Sequence, residues 1–181
     1  MKDEFTLEEK GSSSLIIGEV FDTIYYPDGR VEKREKSFNL IMKSFSTLIG
    51  AFIKGDTDYT GGNLYWAIGS GQTTWDTSTF TPVDSATQLT NEVFRKEIPL
   101  SSRYFVNQNG DRVTTVTNRI QLDIVIEGRE LNGFSLREFG IFGGNASSVA
   151  NSGIMINHKV HARIDKTEGM RIVRSIRLTF N

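Results

Sequence analysis

The chain has 181 residues, and its 21 basic and 22 acidic side chains leave a net charge of only −1, which argues against a protein that wraps nucleic acid. It contains no cysteine, so disulfides, thiolate nucleophiles and Cys-ligated metal sites are excluded. No apolar run approaches the roughly 18 residues that cross a bilayer, and the charged N-terminal sequence is unlike a signal peptide, so we expect cytoplasmic synthesis with neither a membrane nor nucleic acid as partner.

The first elements in chain order are an arm and a hairpin. Residues 1–14 end in the run GSSS and are predicted to form a flexible N-terminal arm, whereas residues 15–181 are predicted to form a single β-rich domain. Residues 15–25 are rich in β-branched and aromatic side chains, which predicts a strand. The sequence YPDG at residues 26–29 favours a turn, and residues 31–36 then supply the returning strand.

One helix is predicted, over residues 38–54. Its apolar side chains recur at intervals of three and four residues and form a single stripe: Phe38, Ile41, Phe45, Leu48, Ile49 and Phe52. Ser37 or Asn39 could cap the start of this helix, and Gly55 its end. We expect the stripe to be buried across a sheet, with a position at a subunit interface as the alternative.

A strand and a long loop follow the helix. The apolar residues 63–68 predict a buried strand that ends at the sequence GSG. Residues 72–90 are rich in Thr, Ser and Asp and show no regular period, with Trp75 and Phe80 as the anchors of the loop. Because long structureless segments inside a compact domain are usually functional, we expect this loop to contact a neighbouring subunit.

The second half of the chain predicts β structure throughout. Residues 91–98 and 104–106 suggest short strands, and Asn109-Gly110 is a hairpin signal. Apolar residues alternate with polar ones over residues 120–126, and residues 154–164 and 171–180 suggest a final pair of strands. The predicted fold class is therefore mainly β, with β-sandwich-like antiparallel sheets and one amphipathic helix, an α+β arrangement.

The sequence LREFGIFGG at residues 136–144 joins a charged pair to two phenylalanines and closes on two glycines. No catalytic mechanism needs this combination, whereas a tightly turned β segment at a subunit contact does. Glycine allows positive φ and close backbone approach, and an arginine next to a glutamate could fix the register through ion pairs. The subunit-interface candidates are Arg137, Glu138, Phe139, Gly140, Phe142, Gly143 and Gly144.

Residue types that carry catalysis or bind metals do not form a recognisable site. His158 and His161 are the only histidines, and on a strand residues i and i+3 point to opposite faces, so the pair cannot hold one metal ion. The GSG sequence at residues 69–71 lacks the other features of a phosphate-binding loop. Glu92 and Glu138 are the only acids in aromatic surroundings, which leaves a cell-wall hydrolase open as an alternative. We expect no enzymatic activity, no cofactor and no metal.

Trp66 and Trp75 are the candidates for stacking on a ligand. An exposed indole ring can stack on a sugar, as in lectin-like receptor binding, although aromatic residues in strands more often belong to the core. The two tryptophans are therefore the basis of an alternative function, a carbohydrate-binding module that would contact a cell-surface glycan.

Four blocks of the sequence carry a resemblance to a known group of proteins: YWAIGSG at residues 65–71, QLTNEVFRK at 88–96, LREFGIFGG at 136–144 and SGIMINH at 152–158. Over residues 38–181 the chain resembles tail and tail-fibre-associated proteins of bacteriophages and of phage-tail-like contractile injection systems. The resemblance is strongest at LREFGIFGG, which is similar to the particle-proximal parts of tail fibres.

The resemblance implies a structural protein of a virion or injection particle that is assembled in the bacterial cytoplasm. The chain has neither a repetitive shaft nor an obvious receptor-binding tip, which favours a baseplate component, a tail-fibre connector or a short appendage. Its partners would be other tail or baseplate proteins and further copies of itself, with a trimer expected. The alternatives are a carbohydrate- or receptor-binding fibre module and a head-located decoration or fibre-anchor protein.

Overall fold

The computed structural model describes residues 16–60, 62–78 and 80–181. These residues include eleven antiparallel strands and two short α-helices. The arm predicted for residues 1–14 lies outside these residues. The strands are β1 (Ile16–Tyr25), β2 (Val31–Lys33), β3 (Ser37–Ile41), β4 (Leu64–Gly69), β5 (Glu92–Ile98), β6 (Arg103–Val106), β7 (Arg112–Val113), β8 (Arg119–Ile126), β9 (Ser135–Gly143), β10 (Ile154–Asp165) and β11 (Arg171–Phe180). The helices are α1 (Phe45–Lys54) and α2 (Thr57–Thr60), and neither described helix is long and apolar enough to cross a membrane.

The strands belong to one sheet in the order β5-β4-β9-β10-β3-β1-β11-β8-β6-β7, with β2 paired to β1. The predicted first hairpin is confirmed, since Tyr25 of β1 pairs with Val31 of β2. The predicted turn at Asn109-Gly110 is confirmed as well: Val106 pairs with Arg112, and Gly110 has a φ of 89°. The mainly β, α+β fold class is therefore confirmed, with all strands in a single sheet.

The sheet folds over so that its two halves share one apolar core. Trp66 on β4 and Phe139 on β9 belong to the same buried cluster as Ile24 on β1 and Ile176 on β11. The two halves also meet where the edge strand β5 faces β8: Lys96 on β5 donates a hydrogen bond of 3.3 Å to the Val125 carbonyl oxygen on β8. The resulting arrangement is β-sandwich-like, and β3 connects the two halves.

The helix predicted over residues 38–54 is wrong in its first third. Ser37–Ile41 forms β3, in which Asn39 pairs with Gly18 of β1 and Leu40 pairs with His158 of β10. Helix α1 begins only after Ser44, whose hydroxyl donates to the Met155 carbonyl oxygen at 2.7 Å instead of capping the helix. The predicted end is confirmed, because Gly55 takes the left-handed conformation with φ of 74°.

The expectation that the helix buries its apolar stripe is also wrong. No residue of α1 is buried, although Phe45 and Leu48 pack against the core. Phe52 and Ile53 are 74% and 79% exposed. Helix α1 therefore leaves Ile49, Phe52 and Ile53 uncovered.

Candidate functional site

The LREFGIFGG segment is the central strand of its half of the sheet. It forms β9, which pairs with β4 on one side and β10 on the other. Phe139 and Phe142 have no exposed surface, and Gly140 lies opposite Ala67 and His158. The prediction of a tightly turned segment is therefore wrong for the described chain. These residues pack within their own sheet.

Close backbone approach is nevertheless the reason for glycine in this strand. A Cβ atom at Gly140 would lie 2.9 Å from the Asn157 carbonyl oxygen and 3.3 Å from side-chain atoms of Leu89 and Met155. At Gly144 the φ of 69° favours glycine directly. The expected reason for the glycines is thus correct, but the neighbour that approaches belongs to the same chain.

Arg137 pairs with Asp76 and not with the adjacent Glu138. Its Nε and Nη2 atoms donate to the two carboxylate oxygens of Asp76, each at 2.7 Å, and Nη1 donates to the Ser70 carbonyl oxygen at 3.0 Å. The hydrogen bond from Arg137, with a smaller contribution from Arg163, lowers the pKa of Asp76 from 3.8 to about 2. This pair fastens the loop of residues 72–90 to β9.

Glu138 is the most enclosed charged group of the described chain, with 0% of its surface exposed. Its carboxylate accepts hydrogen bonds from the backbone N–H groups of Thr90 (3.1 Å) and Asn91 (2.9 Å) and lies 2.9 Å from Nε2 of His158. Burial alone would raise the pKa of Glu138, but the hydrogen bonds from His158, Asn91 and Thr90 hold it below its usual value. The carboxylate of Glu138 thus holds the C-terminal end of the loop of residues 72–90.

The two acids of the hydrolase alternative are both occupied by internal contacts. Glu92 receives two hydrogen bonds from Arg95, at 2.7 and 2.8 Å, and another at 3.1 Å from the Asn151 backbone. Glu138 is enclosed as described above. The geometry gives neither carboxyl an open side toward solvent, so it offers no support for a hydrolytic role.

The two histidines have separate environments. His158 faces Glu138, whereas His161 lies near Asp22 and Arg174 and its Nδ1 donates to the Ala162 carbonyl oxygen at 2.8 Å. Within residues 16–60, 62–78 and 80–181, no three His, Asp or Glu side chains are grouped as they would be around a metal ion.

The two tryptophans differ in access. Trp66 is fully buried, with its ring edge-on to Phe139 at 6.4 Å between centroids, so the prediction that it could stack on a ligand is wrong. Trp75 lies half-buried in the long loop and stacks on Phe80, with 4.2 Å between ring centroids and 16° between ring planes. Trp75 is therefore the only one of the pair that a ligand could reach.

The apolar stripe of α1 was predicted to be buried across the sheet, but part of it is exposed. Ile49, Phe52 and Ile53 follow the i, i+3, i+4 spacing and are all exposed. An apolar groove lies on each side of the helix, of about 240 Å³ next to Leu48 and Phe52 and about 660 Å³ next to Ile49. The spacing was visible in the sequence. What it could not reveal was that only Phe45 and Leu48 of the stripe reach the core of the sheet.

A polar cleft between β1 and β10 was not predicted from the sequence. It has a volume of about 320 Å³ and lies where β3 no longer separates the two strands. At its base Arg174 donates to the two oxygens of Asp22 at 2.7 and 2.6 Å. No sequence pattern indicates this cleft, because Asp22 and Arg174 are 152 residues apart and meet only through the pairing of β1 with β11.

No known protein-family model matches this chain, and no curated protein or solved structure shows significant similarity to it.

Proposed function

We propose that this chain is a structural subunit of a phage tail or of a phage-tail-like contractile injection particle, as a baseplate component, tail-fibre connector or short appendage. It binds further copies of itself and neighbouring tail proteins, and it performs no catalysis. Two things support the proposal: the four sequence blocks that resemble such proteins, and an apolar surface suited to assembly.

The observation that carries the proposal is the exposed stripe of Ile49, Phe52 and Ile53 on α1. Isolated apolar residues on a surface are ordinary, but a contiguous patch beside apolar grooves usually marks an interaction site. Burying two large side chains such as Phe52 and Ile53 contributes on the order of 4 kcal/mol. An association of subunits is the simplest way for the chain to gain this stabilisation.

A second copy of the same chain fits this surface. Across a two-fold axis the same patch of each subunit meets its own copy, and in a larger ring patches next to the axis also come close to one another. Lys54 is the only charged residue of α1, and it is paired with Asp56 at 3.0 Å, so like charges do not oppose the approach of identical helices. Gly50 lies on α1 with no atom within 4 Å of a Cβ built on it, which leaves room for a neighbouring helix to come close.

The proposal is tested by combining particle composition with self-association. Mass spectrometry of sedimented particles from the native producer should find the chain in a fixed small-integer ratio to the other tail proteins. Light scattering on the purified chain should give an oligomer. Its mass should fall to that of the monomer in the double variant Phe52→Ser, Ile53→Ser.

A matched control is Val116→Ser, which removes an apolar side chain that is 82% exposed outside α1. This variant should keep the oligomer, and circular dichroism should show that both variants are folded. A chain that is monomeric in solution and absent from purified particles would contradict the proposal.

A second candidate function is a carbohydrate-binding fibre module, favoured by the stacked pair of Trp75 and Phe80 on the long loop. Glycan binding that is lost in Trp75→Ala while particle assembly continues would favour this alternative over a connector.

A further inference from the structure

We infer that the cleft between β1 and β10 is a binding site for a small carboxylate ligand that also carries hydroxyl groups, such as a sugar acid. The inference is independent of the proposed assembly role. β3 pairs with β1 only from Ser37 to Asn39 and with β10 only at Leu40 and Ile41, so beyond β3 the two long strands leave a gap. The volume of about 320 Å³ is at the lower end of ligand cavities and suits one small molecule.

Arg174, the buried cationic group of the site, is held in place by contacts within the chain. Arg174 is buried and directly opposite Asp22 in the strand register, and two hydrogen bonds join them. Its guanidinium also lies over the ring of Phe139, with 4.1 Å from Cζ to the ring centroid. These contacts use Nε and Nη2, whereas Nη1 is bonded by no residue of the described chain. An immobilised guanidinium whose Nη1 donors have no partner can bind a carboxylate.

The charges at the cleft favour an anion. Arg34, Lys159 and Arg174 line it, against Asp22 and Glu35. Burial lowers the pKa of Lys159, and the charge of Arg174 lowers it further, more than Asp22 raises it. The lining thus holds three cationic side chains against two carboxylates, and a ligand carboxylate would balance this excess.

His161 supplies the opposite kind of hydrogen-bonding group. Since its Nδ1 donates to the Ala162 carbonyl oxygen, Nε2 carries the lone pair and can only accept while the ring is neutral. Burial, followed by the charge of Arg174, lowers the pKa of His161 to about 3, so the ring is neutral at physiological pH. A ligand that satisfies both Arg174 and His161 needs a carboxylate and an O–H donor.

The remaining lining groups agree with a ligand of this kind. The hydroxyl of Ser37 lines the cleft and has no hydrogen-bond partner in the described chain, so it can serve a ligand hydroxyl as donor or acceptor. Val160 and Ala162, which are not buried, also line the cleft and provide apolar contact for the carbon skeleton. A bare inorganic anion would leave these groups unused.

The test is calorimetric titration of the full chain with galacturonate, with galactose and acetate as matched probes. We expect binding of galacturonate and much weaker binding of both others, because galactose lacks the carboxylate and acetate lacks the hydroxyls. Lys159→Gln should weaken galacturonate binding about tenfold, because it removes one of the cationic groups that line the cleft. Lys43→Gln, in which the exposed partner of Asp84 is changed away from the cleft, should bind as the unaltered chain does.

The source of the ligand is resolved by adding polygalacturonate as a third probe. Tighter binding to the polymer would support an acidic cell-surface polysaccharide, and binding to the monomer alone would support a free sugar acid. Equal heats for galacturonate and galactose, or an affinity unchanged in folded Lys159→Gln, would overturn the inference. None of these results depends on whether the chain oligomerises, so failure here leaves the assembly proposal to its own test.

Discussion

Arg137 on the central strand β9 and Asp76 in the long loop are joined by two parallel hydrogen bonds of 2.7 Å, across 61 residues of sequence. Two-pronged pairs of this kind fix orientation as well as distance. Arg163 on β10 adds a third contact to the same carboxylate at 3.3 Å. The loop of residues 72–90 is therefore held by electrostatic contacts at this end, while the carboxylate of Glu138 holds the backbone of Thr90 and Asn91 at the other.

The first prediction concerns the pH at which the loop opens. The folded-state pKa of Asp76 is about 2, against an ordinary 3.8. A carboxyl with a depressed folded pKa adds stability that is fully present above the unfolded pKa and is lost as the pH falls through the folded value. We therefore expect cleavage within residues 72–90 by an acid-active protease such as pepsin to accelerate as the pH falls from about 4 to about 2.

The matching variant is Asp76→Asn, which should open the loop already at neutral pH and leave little further change on acidification. Asp84→Asn, which removes an exposed partner of Lys43 in the same loop, serves as the control and should behave like the unaltered chain. Identical hydrogen-exchange rates in the two variants at neutral pH would contradict a fastening role for Asp76.

The second prediction concerns the buried pair of Glu138 and His158. Removing one partner of a buried charged network leaves polar groups without compensation and costs roughly 3 kcal/mol. We expect Glu138→Gln to lower the free energy of unfolding by about that amount, measured by denaturant titration. The exposed Glu97→Gln on β5 should change it by less than about 0.5 kcal/mol. Equal stability of the two variants would show that the buried carboxylate is not a structural requirement.

Local patterns were sufficient to predict much of the fold. The alternation of Leu122, Ile124 and Ile126 predicts β8, and all three are buried as expected. Gly55 was correctly predicted as the end of the helix. The error over residues 38–41 has a physical cause: Phe38 and Ile41 fit a helical period, but the space between β1 and β10 is filled by a strand, and tertiary pairing overrides the local pattern.

The candidate site was less accessible to sequence reasoning. The run at residues 136–144 reads equally well as a surface segment or a buried strand, because a strand covered on both faces shows no alternation. The charged pair Arg137 and Glu138 suggested a subunit contact, yet their bonding partners are Asp76 and His158, which lie 61 and 20 residues away in the sequence. No local sequence pattern indicates that Asp76 and His158 are these partners.

The third prediction follows from the packing around Gly140. A Cβ atom there would lie 2.9 Å from a backbone oxygen of β10, which cannot move without disturbing the sheet. Gly140→Ala should therefore lower stability by about 1 to 3 kcal/mol, as overpacked core variants do. Thermal unfolding measures the change, and a variant as stable as the unaltered chain would show that β9 and β10 can separate without cost.

The fourth prediction uses Gly50 to separate folding from assembly. Since nothing lies within 4 Å of a Cβ at Gly50, alanine fits the isolated subunit and should stabilise α1 by up to about 1 kcal/mol through its higher helix propensity. If a second copy packs closely against this face, the added methyl group should instead weaken self-association. We expect Gly50→Ala to raise the unfolding temperature of the dilute monomer while it reduces the oligomer fraction seen by light scattering. An unchanged oligomer fraction would place the subunit contact on Ile49, Phe52 and Ile53 without close approach at Gly50.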